Sequence, residues 1–305
     1  MSCVSVESGL RLITLGAIWG SSFLFMKVAV PAFGPAALIE IRLLLAAILL
    51  AAVATVSRRP LNWQSNWRHH FVIGGVNSAI PFLCFAYAAQ TLPASLLSLF
   101  NSLAPIFGAL VSAIWLQTPI SRKTAAGLAA GVSGVALLSL EHVLTIPVNA
   151  TAADVLLAIG AASIAPLCYG VAATYIKWSS QRVDAFSNAH GAMWSATLIA
   201  APLALTSPPS GDITPLSIGA VAVLGLVCTG AAYLLQFRLF ADLGPTRGLT
   251  VTYLIPVFGV LWGVLFLDEP VGWTLVAGGA LILLGTALVM GGFTLRTPPG
   301  AADPN

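Results

Sequence analysis

Residues 103–120 read LAPIFGALVSAIWLQTPI, and residues 254–271 read LIPVFGVLWGVLFLDEPV. Set one above the other, Pro105 falls on Pro256, Phe107 on Phe258, Gly108 on Gly259, Leu110 on Leu261, Leu116 on Leu267 and Pro119 on Pro270, a constant offset of 151. The register holds downstream, where Gly127 meets Gly278 and Gly134 meets Gly285, and upstream, where Gly74 meets Gly225 and Leu83 meets Leu234. Leucine and glycine matches are cheap in an apolar chain; prolines and glycines sharing one spacing are not. The chain therefore reads as two related halves, 10–140 and 153–292, and a short proline-rich tail, 293–305, expected to be a disordered cytoplasmic segment.

The medium around these halves follows from composition. The chain is 58% hydrophobic and 8% charged, against about 25% charged residues in a soluble domain. So few charges cannot solvate a globular surface, so lipid is the expected partner over most of it. A net charge of +3, with no basic run longer than two residues, excludes a nucleic-acid binder. Cys3, Cys84, Cys168 and Cys228 form no CxxC pair, and three of them lie in apolar stretches where a thiol serves as a small hydrophobe. Neither a disulfide framework nor a metal or cofactor site is expected. The first apolar stretch, Leu10 to Val30, exceeds the 7–15 residues of a signal-peptide h-region and contains Lys27, so it reads as a retained helix.

A bilayer crossing takes roughly 20 apolar residues. Ten such stretches run near 10–30, 35–56, 71–90, 93–116, 124–140, 153–175, 185–206, 215–238, 244–267 and 271–292, separated by turn formers such as Pro31 and Gly34, Pro60, Pro93, Pro119, Pro147, Pro208-Pro209, Gly244-Pro245 and Pro270. With a cytoplasmic N-terminus, the inner segments hold Arg11, Arg58, Arg59, Arg68, Arg122, Lys123, Lys177, Arg182, Arg238, Arg247 and Arg296. The outer loops then hold Glu141, Asp154, Asp212, Asp268 and Glu269 and no Lys or Arg, which satisfies the positive-inside rule. Five spans per half is an odd number, so the halves enter the membrane in opposite senses. The expected fold is thus an all-α integral membrane protein with ten transmembrane helices as two inverted five-helix repeats. That architecture is common among secondary transporters, with the substrate site near the midplane where the repeats meet.

Several segments resemble a known family. Ala17-Ile18-Trp19-Gly20-Ser21-Ser22-Phe23, Ile41-Arg42, the mid-helix prolines Pro105 and Pro256, and Leu267-Asp268-Glu269-Pro270 with Gly278 and Gly285 are similar to the signature of EamA-type drug/metabolite transporters, over about residues 10–292. The resemblance implies ten helices, cytoplasmic termini, a cell (inner) membrane location and, in bacteria, export of amino acids or related metabolites. Two departures stand out. The first half has Leu116-Gln117-Thr118 where the family often has a glutamate, kept here only as Glu269, and the seventh span has no arginine equivalent to Arg42.

The residues themselves nominate a substrate path. A proline in a helix interior frees the carbonyl four residues earlier; for Pro105 and Pro256 those carbonyls belong to Asn101 and Thr252, a matched pair. Freed backbone at membrane depth needs protein or a watery cavity to satisfy it, so a polar bend lining the path is expected, the alternative being a packing kink. Trp19 and Ser22 sit mid-span, as an aromatic wall or as helix packing through small neighbours. Asn77, Tyr169, Thr229 and Tyr233 add neutral polar groups at mid-depth, as substrate ligands or interhelical bonds. Lys27, Glu40 and Arg42 lie toward the outer side: a Lys27–Glu40 pair across helices, with Arg42 facing a gate or a substrate carboxylate, competes with simple snorkelling. His190 is a relay candidate near the inner end, and His69-His70 reads as part of a basic inner loop. Asn149-Ala150-Thr151 matches a glycosylation sequon of low specificity. A midplane carboxylate is missing, which disfavours a carboxylate proton relay. The leading expectation is a metabolite exporter working by alternating access, with a small-molecule substrate, the bilayer as partner and a monomer as a sufficient unit. A drug or organic-cation exporter is the second reading, and an intramembrane enzyme, for which no catalytic motif is found, the third.

Overall fold

The computed structural model describes residues 6–59, 63–144, 150–179, 183–209 and 211–292. The tail 293–305, Pro60, Pro147 and the sequon residue Asn149 lie outside them. Every regular element among the described residues is helical, as lipid demands of a chain that must satisfy its backbone within each segment. In chain order they are α1 Val6–Val56, α2 Trp63–Gly74, α3 Ile80–Ala88, α4 Ala94–Asn101, α5 Ala104–Trp115, α6 Arg122–Leu144, α7 Ala152–Ser179, α8 Ala185–Thr206, α9 Pro215–Gly225, α10 Ala232–Gly248, α11 Val251–Leu267 and α12 Trp273–Gly292. Two π-helical segments, Gly75–Ala79 and Leu226–Ala231, join α2 to α3 and α9 to α10.

Seven helices among the described residues are long and apolar enough to cross a bilayer, and Val251–Leu267 is a shorter apolar helix. The first, Glu7–Val56, is 50 residues long, far beyond the 20 or so a crossing takes. It breaks at Gly34, whose φ of 67° and ψ of 165° are not helical, so it contains two of the spans read from the sequence. Gly244 has nearly the same conformation, φ 76° and ψ 161°, and it too precedes a proline. This region of backbone space is essentially reserved for glycine. We predict that Gly34→Ala lowers stability by about 1–3 kcal/mol through backbone strain alone, since a Cβ there meets no neighbour within 4 Å; thermal unfolding in detergent checks this.

The repeat read from sequence recurs in the geometry. The π-helical segments begin 151 residues apart, at Gly75 and Leu226. Gln117 and Asp268, also 151 apart, end α5 and α11 in the left-handed conformation, at φ 54° and 52°. Packing is reciprocal. A Cβ on Gly127 would meet the Gly285 carbonyl at 2.6 Å, and one on Gly134 would meet the Gly278 carbonyl at 2.6 Å. Position numbers rise on α6 as they fall on α12, and each of the two α6 glycines faces the repeat-equivalent of the other. The same exchange joins α2 to α8 and α9 to α1: Gly74 lies against Ala192 and Ser195, and its equivalent Gly225 against Arg42 and Leu45.

The connections gather at two ends. At one, the Gly211 amide donates to the Ala32 carbonyl (3.2 Å), Lys27 binds the 89–92 turn, and Thr274 donates to Glu141. At the other, Arg11 bonds Glu7 and Asp242, and Arg59 stacks over the Phe186 ring at 5.2 Å.

Three readings from sequence need correction. α2 begins at Trp63, well before residue 71, so His69 and His70 are buried helix residues rather than loop residues. The apolar run starts only at Phe71, and the polar turn before it looked like a connection. The two prolines do not make equivalent bends: the chain breaks at Ser102–Leu103 and Pro105 sits in the first turn of α5, whereas Pro256 lies inside the unbroken α11. A proline is unstrained in a first turn, where its missing N–H has no helical partner anyway.

Candidate functional site

Arg42 comes from the second part of α1 and is only 4% exposed. Snorkelling is therefore not its role: the guanidinium lies inside the bundle. Its Nε donates to Thr229 Oγ1 at 2.9 Å, and its Cζ stands 3.7 Å from the centroid of the Phe82 ring, a cation–π contact. Tyr169, Cys228 and Tyr233 are the titratable groups whose electrostatic interaction reaches it. Asn77 Nδ2 donates to the Tyr233 hydroxyl at 3.4 Å, and Ser21 Oγ lies 3.6 Å from Cys228 Sγ. Five of the residues singled out in the sequence thus converge here: Arg42, Asn77, Tyr169, Thr229 and Tyr233.

The π-helical segments position this cluster. The second carries Thr229, which accepts from Arg42 and donates to the Leu224 carbonyl five residues back (2.9 Å), as a π turn allows, and the first carries Asn77, which donates to Tyr233. Hydroxyls Ser78 and Thr229 are repeat equivalents, and so are the rings of Phe82 and Tyr233. Arg42 is the asymmetric element, since the matching contact of Gly74 in the other half is made by Ala192. Phe82 was missed in the sequence because it looks like core; the signal that finds it is its offset of 151 from Tyr233. Ser22 is buried, and Trp19 is half-buried against both hydrophobic clusters.

Other candidates fall elsewhere. Lys27 does not pair with Glu40. Its Nζ donates to the carbonyls of Ala89 (2.7 Å) and Leu92 (2.9 Å), which bracket the turn that follows α3. Glu269 accepts from the amides of Ala94 (2.6 Å) and Ser95 (2.9 Å), the first donors of α4. One turn is thus held from both sides by opposite charges, each placed where the helix dipole favours it. Glu269 was legible as the acid retained in one half only. Glu40 is half-buried, and its Oε2 is buried without a partner among the described residues. Thr252 turns back to its own backbone, donating to the Leu249 carbonyl at 2.8 Å, and does not mirror Asn101, a half-buried residue ending α4.

Toward the end that holds Arg11 and Asp242, His190 accepts from Trp194 Nε1 at 3.1 Å, His69 stacks on Tyr175 at 5.5 Å, and His70 packs against Gly191. Among the described residues no three His, Cys, Asp or Glu side chains are grouped to hold a metal ion.

Comparison with known proteins gives the arrangement its context. The profile of the EamA-like transporter family matches residues 8–140 and again 156–291. The chain is 22% identical over 283 residues to the protein named "Uncharacterized transporter YoaV" of Bacillus subtilis, covering 92% of this chain and 95% of that one. It is 25% identical over 276 residues to protein PecM of Dickeya dadantii, covering 90% and 88%. To a protein of Streptantibioticus cattleyicolor named "Probable terminal-alkyne amino-acid exporter" it is 25% identical over 276 residues, covering 89% of each. A solved crystal structure superposes with a TM-score of 0.60 at 20% identity, over 93% of this chain and 96% of that one, which shows a shared fold. Two successive matches to that profile, together covering most of the chain, on a bundle of apolar helices, settle the class: this is a multi-pass membrane protein of the EamA-like transporter family.

Proposed function

We propose that the protein exports small metabolites, such as amino acids, by alternating access around the Arg42 cluster. The observation that carries this reading is the cluster's position: a buried arginine, two tyrosines and an amide gathered between repeat-equivalent π-helical segments. Buried polar groups without full partners are costly in a bilayer and mark substrate pathways. The reciprocal glycine contacts support ten crossings in two inverted repeats, because partner positions run in opposite directions on α6 and α12. With both termini cytoplasmic in the inner membrane, Arg11, Arg59 and Arg238 fall on the inner side and Glu141, Asp268 and Glu269 on the outer. The name of the Streptantibioticus relative is in keeping with an amino-acid-like cargo. An organic-cation exporter fits less well, since the titratable groups that interact with Arg42 are phenols and a thiol rather than acids. The family relatives are named as transporters, which argues against an enzyme.

The test is counterflow of labelled amino acids in proteoliposomes of the purified protein. Protein-dependent accumulation is expected, and Tyr233→Ala should lower it by about tenfold, the loss of a well-placed ring and its hydroxyl, at unchanged expression. Trp19→Ala and Asn101→Ala should impair it too. Accumulation that stays at the level of empty liposomes would remove the reading.

A further inference from the structure

The charge balance around Arg42 leads one step further, resting on the reading of this cluster as the transport site. An arginine is permanently charged and presents five N–H donors. Arg42, at 4% exposure, spends Nε on Thr229; the four donors on its two Nη nitrogens have no acceptor among the described residues. Its face is covered by Phe82, which attracts the charge without consuming a donor. The described ion pairs both belong to Arg11. Glu40 stands two positions away on the same helix, where side chains do not face each other. One fixed positive charge with unused, forked donors therefore lies at the heart of the bundle.

We infer that the site recognises organic monocarboxylates, with the two carboxylate oxygens accepting from the Arg42 Nη pair. That fork-to-fork match satisfies both partners in geometry and in charge. A phosphate monoester, being largely dianionic, leaves one charge unmatched. An ammonium finds no acid beside it: the neighbours are Tyr169, Cys228, Tyr233 and Thr229. An α-amino group therefore adds nothing to affinity, and a cation is repelled. Thr229 acts as a positioning residue, since its hydroxyl fixes Nε and thereby the plane of the fork.

The purified protein in lipid nanodiscs is titrated with a matched series: 3-phenylpropionate, L-phenylalanine and phenethylamine, with inorganic phosphate as competitor. The expected order is 3-phenylpropionate at least as tight as L-phenylalanine, phenethylamine at least tenfold weaker, and no competition by phosphate. Arg42→Met should weaken 3-phenylpropionate by about 10- to 100-fold, the range for a charge-assisted bond, Arg42→Lys by less. Should Arg42→Met fail to fold, Thr229→Val, which preserves volume, should still weaken the anion while leaving phenethylamine unchanged. Phenethylamine binding as tightly as the anion, phosphate competing, absence of binding across the series, or indifference of the anion to Arg42→Lys and Thr229→Val each overturns the assignment. Flux separates the two claims. Arg42-dependent anion binding without counterflow of any labelled probe keeps the anion site and removes transport. Counterflow of phenethylamine, but not of 3-phenylpropionate, by the unaltered protein removes the anion site and keeps transport.

Discussion

Glu269→Ala should destabilise the protein by about 2–4 kcal/mol, because it strips the acceptor from two buried donors at once. Glu269 takes the Ala94 amide on one oxygen and the Ser95 amide on the other. These are orphan donors of the α4 N-terminus, and Pro93, the residue before them, makes no side-chain cap. Each charge-assisted bond is worth about 1.5–3 kcal/mol, and the helix dipole adds a few tenths. Water cannot take over in full, since Ala94 and Ser95 are buried. Glu269→Gln keeps one carbonyl acceptor and should lose about half as much. Lys27, whose Nζ closes the other side of the turn, should then be coupled to Glu269: the double variant Lys27→Ala with Glu269→Ala should cost less than the two separate losses added. Thermal unfolding in detergent reads the effect, and a Glu269→Ala protein melting with the wild type would show that the turn is held by something else.

The second large effect is at the glycine seam. Gly134→Val places a Cβ 2.6 Å from the Gly278 carbonyl and 2.8 Å from Ile282 Cγ1. A carbonyl belongs to the backbone of α12 and cannot rotate away, so the helices must separate. Overpacking costs about 1–3 kcal/mol where side chains can adjust; with backbone in the way, loss of folded protein at growth temperature is expected. Milder alanines test the symmetry itself. Gly127→Ala and Gly278→Ala occupy equivalent positions in the two repeats but touch different partners, Gly285 and Gly134. Their costs should be similar and should add, whereas Gly127→Ala and Gly285→Ala share one contact and should not add. Equal additivity in both pairs would contradict the reciprocal packing.

Much of this fold is written locally. Apolar runs of spanning length, the segregation of arginines from acids, and the offset of 151 are properties of the chain that need no tertiary contact to be read. The break at Gly34 is legible too, because Gly34-Pro35 calls for a backbone that only glycine adopts. The depth of Arg42 was not. Sequence distance from a span's end suggests a side chain within reach of the surface, but the bundle around α1 is closed there by α9 and the second π-helical segment. The π-helical turns themselves left no readable mark, since Gly75-Val76-Asn77-Ser78-Ala79 is compatible with an ordinary helix. The partners of Lys27 were misjudged for a related reason: sequence reasoning pairs side-chain charges with each other, while this lysine pairs with backbone carbonyls that exist only once α3 ends at the 89–92 turn. Pro105 and Pro256 match in sequence yet act differently, because the residues ahead of them, Ser102-Leu103 and Tyr253-Leu254, leave the helix in one half and continue it in the other.

The inversion of one repeat against the other is tested most directly at Gln117 and Asp268. They are repeat equivalents with the same left-handed conformation. With Cys3, Cys84, Cys168 and Cys228 replaced by Ala, each is changed in turn to cysteine and treated with a membrane-impermeant maleimide. Intact cells should label Asp268→Cys at once and Gln117→Cys only after lysis. Labelling of both from the same side would contradict two repeats of opposite orientation.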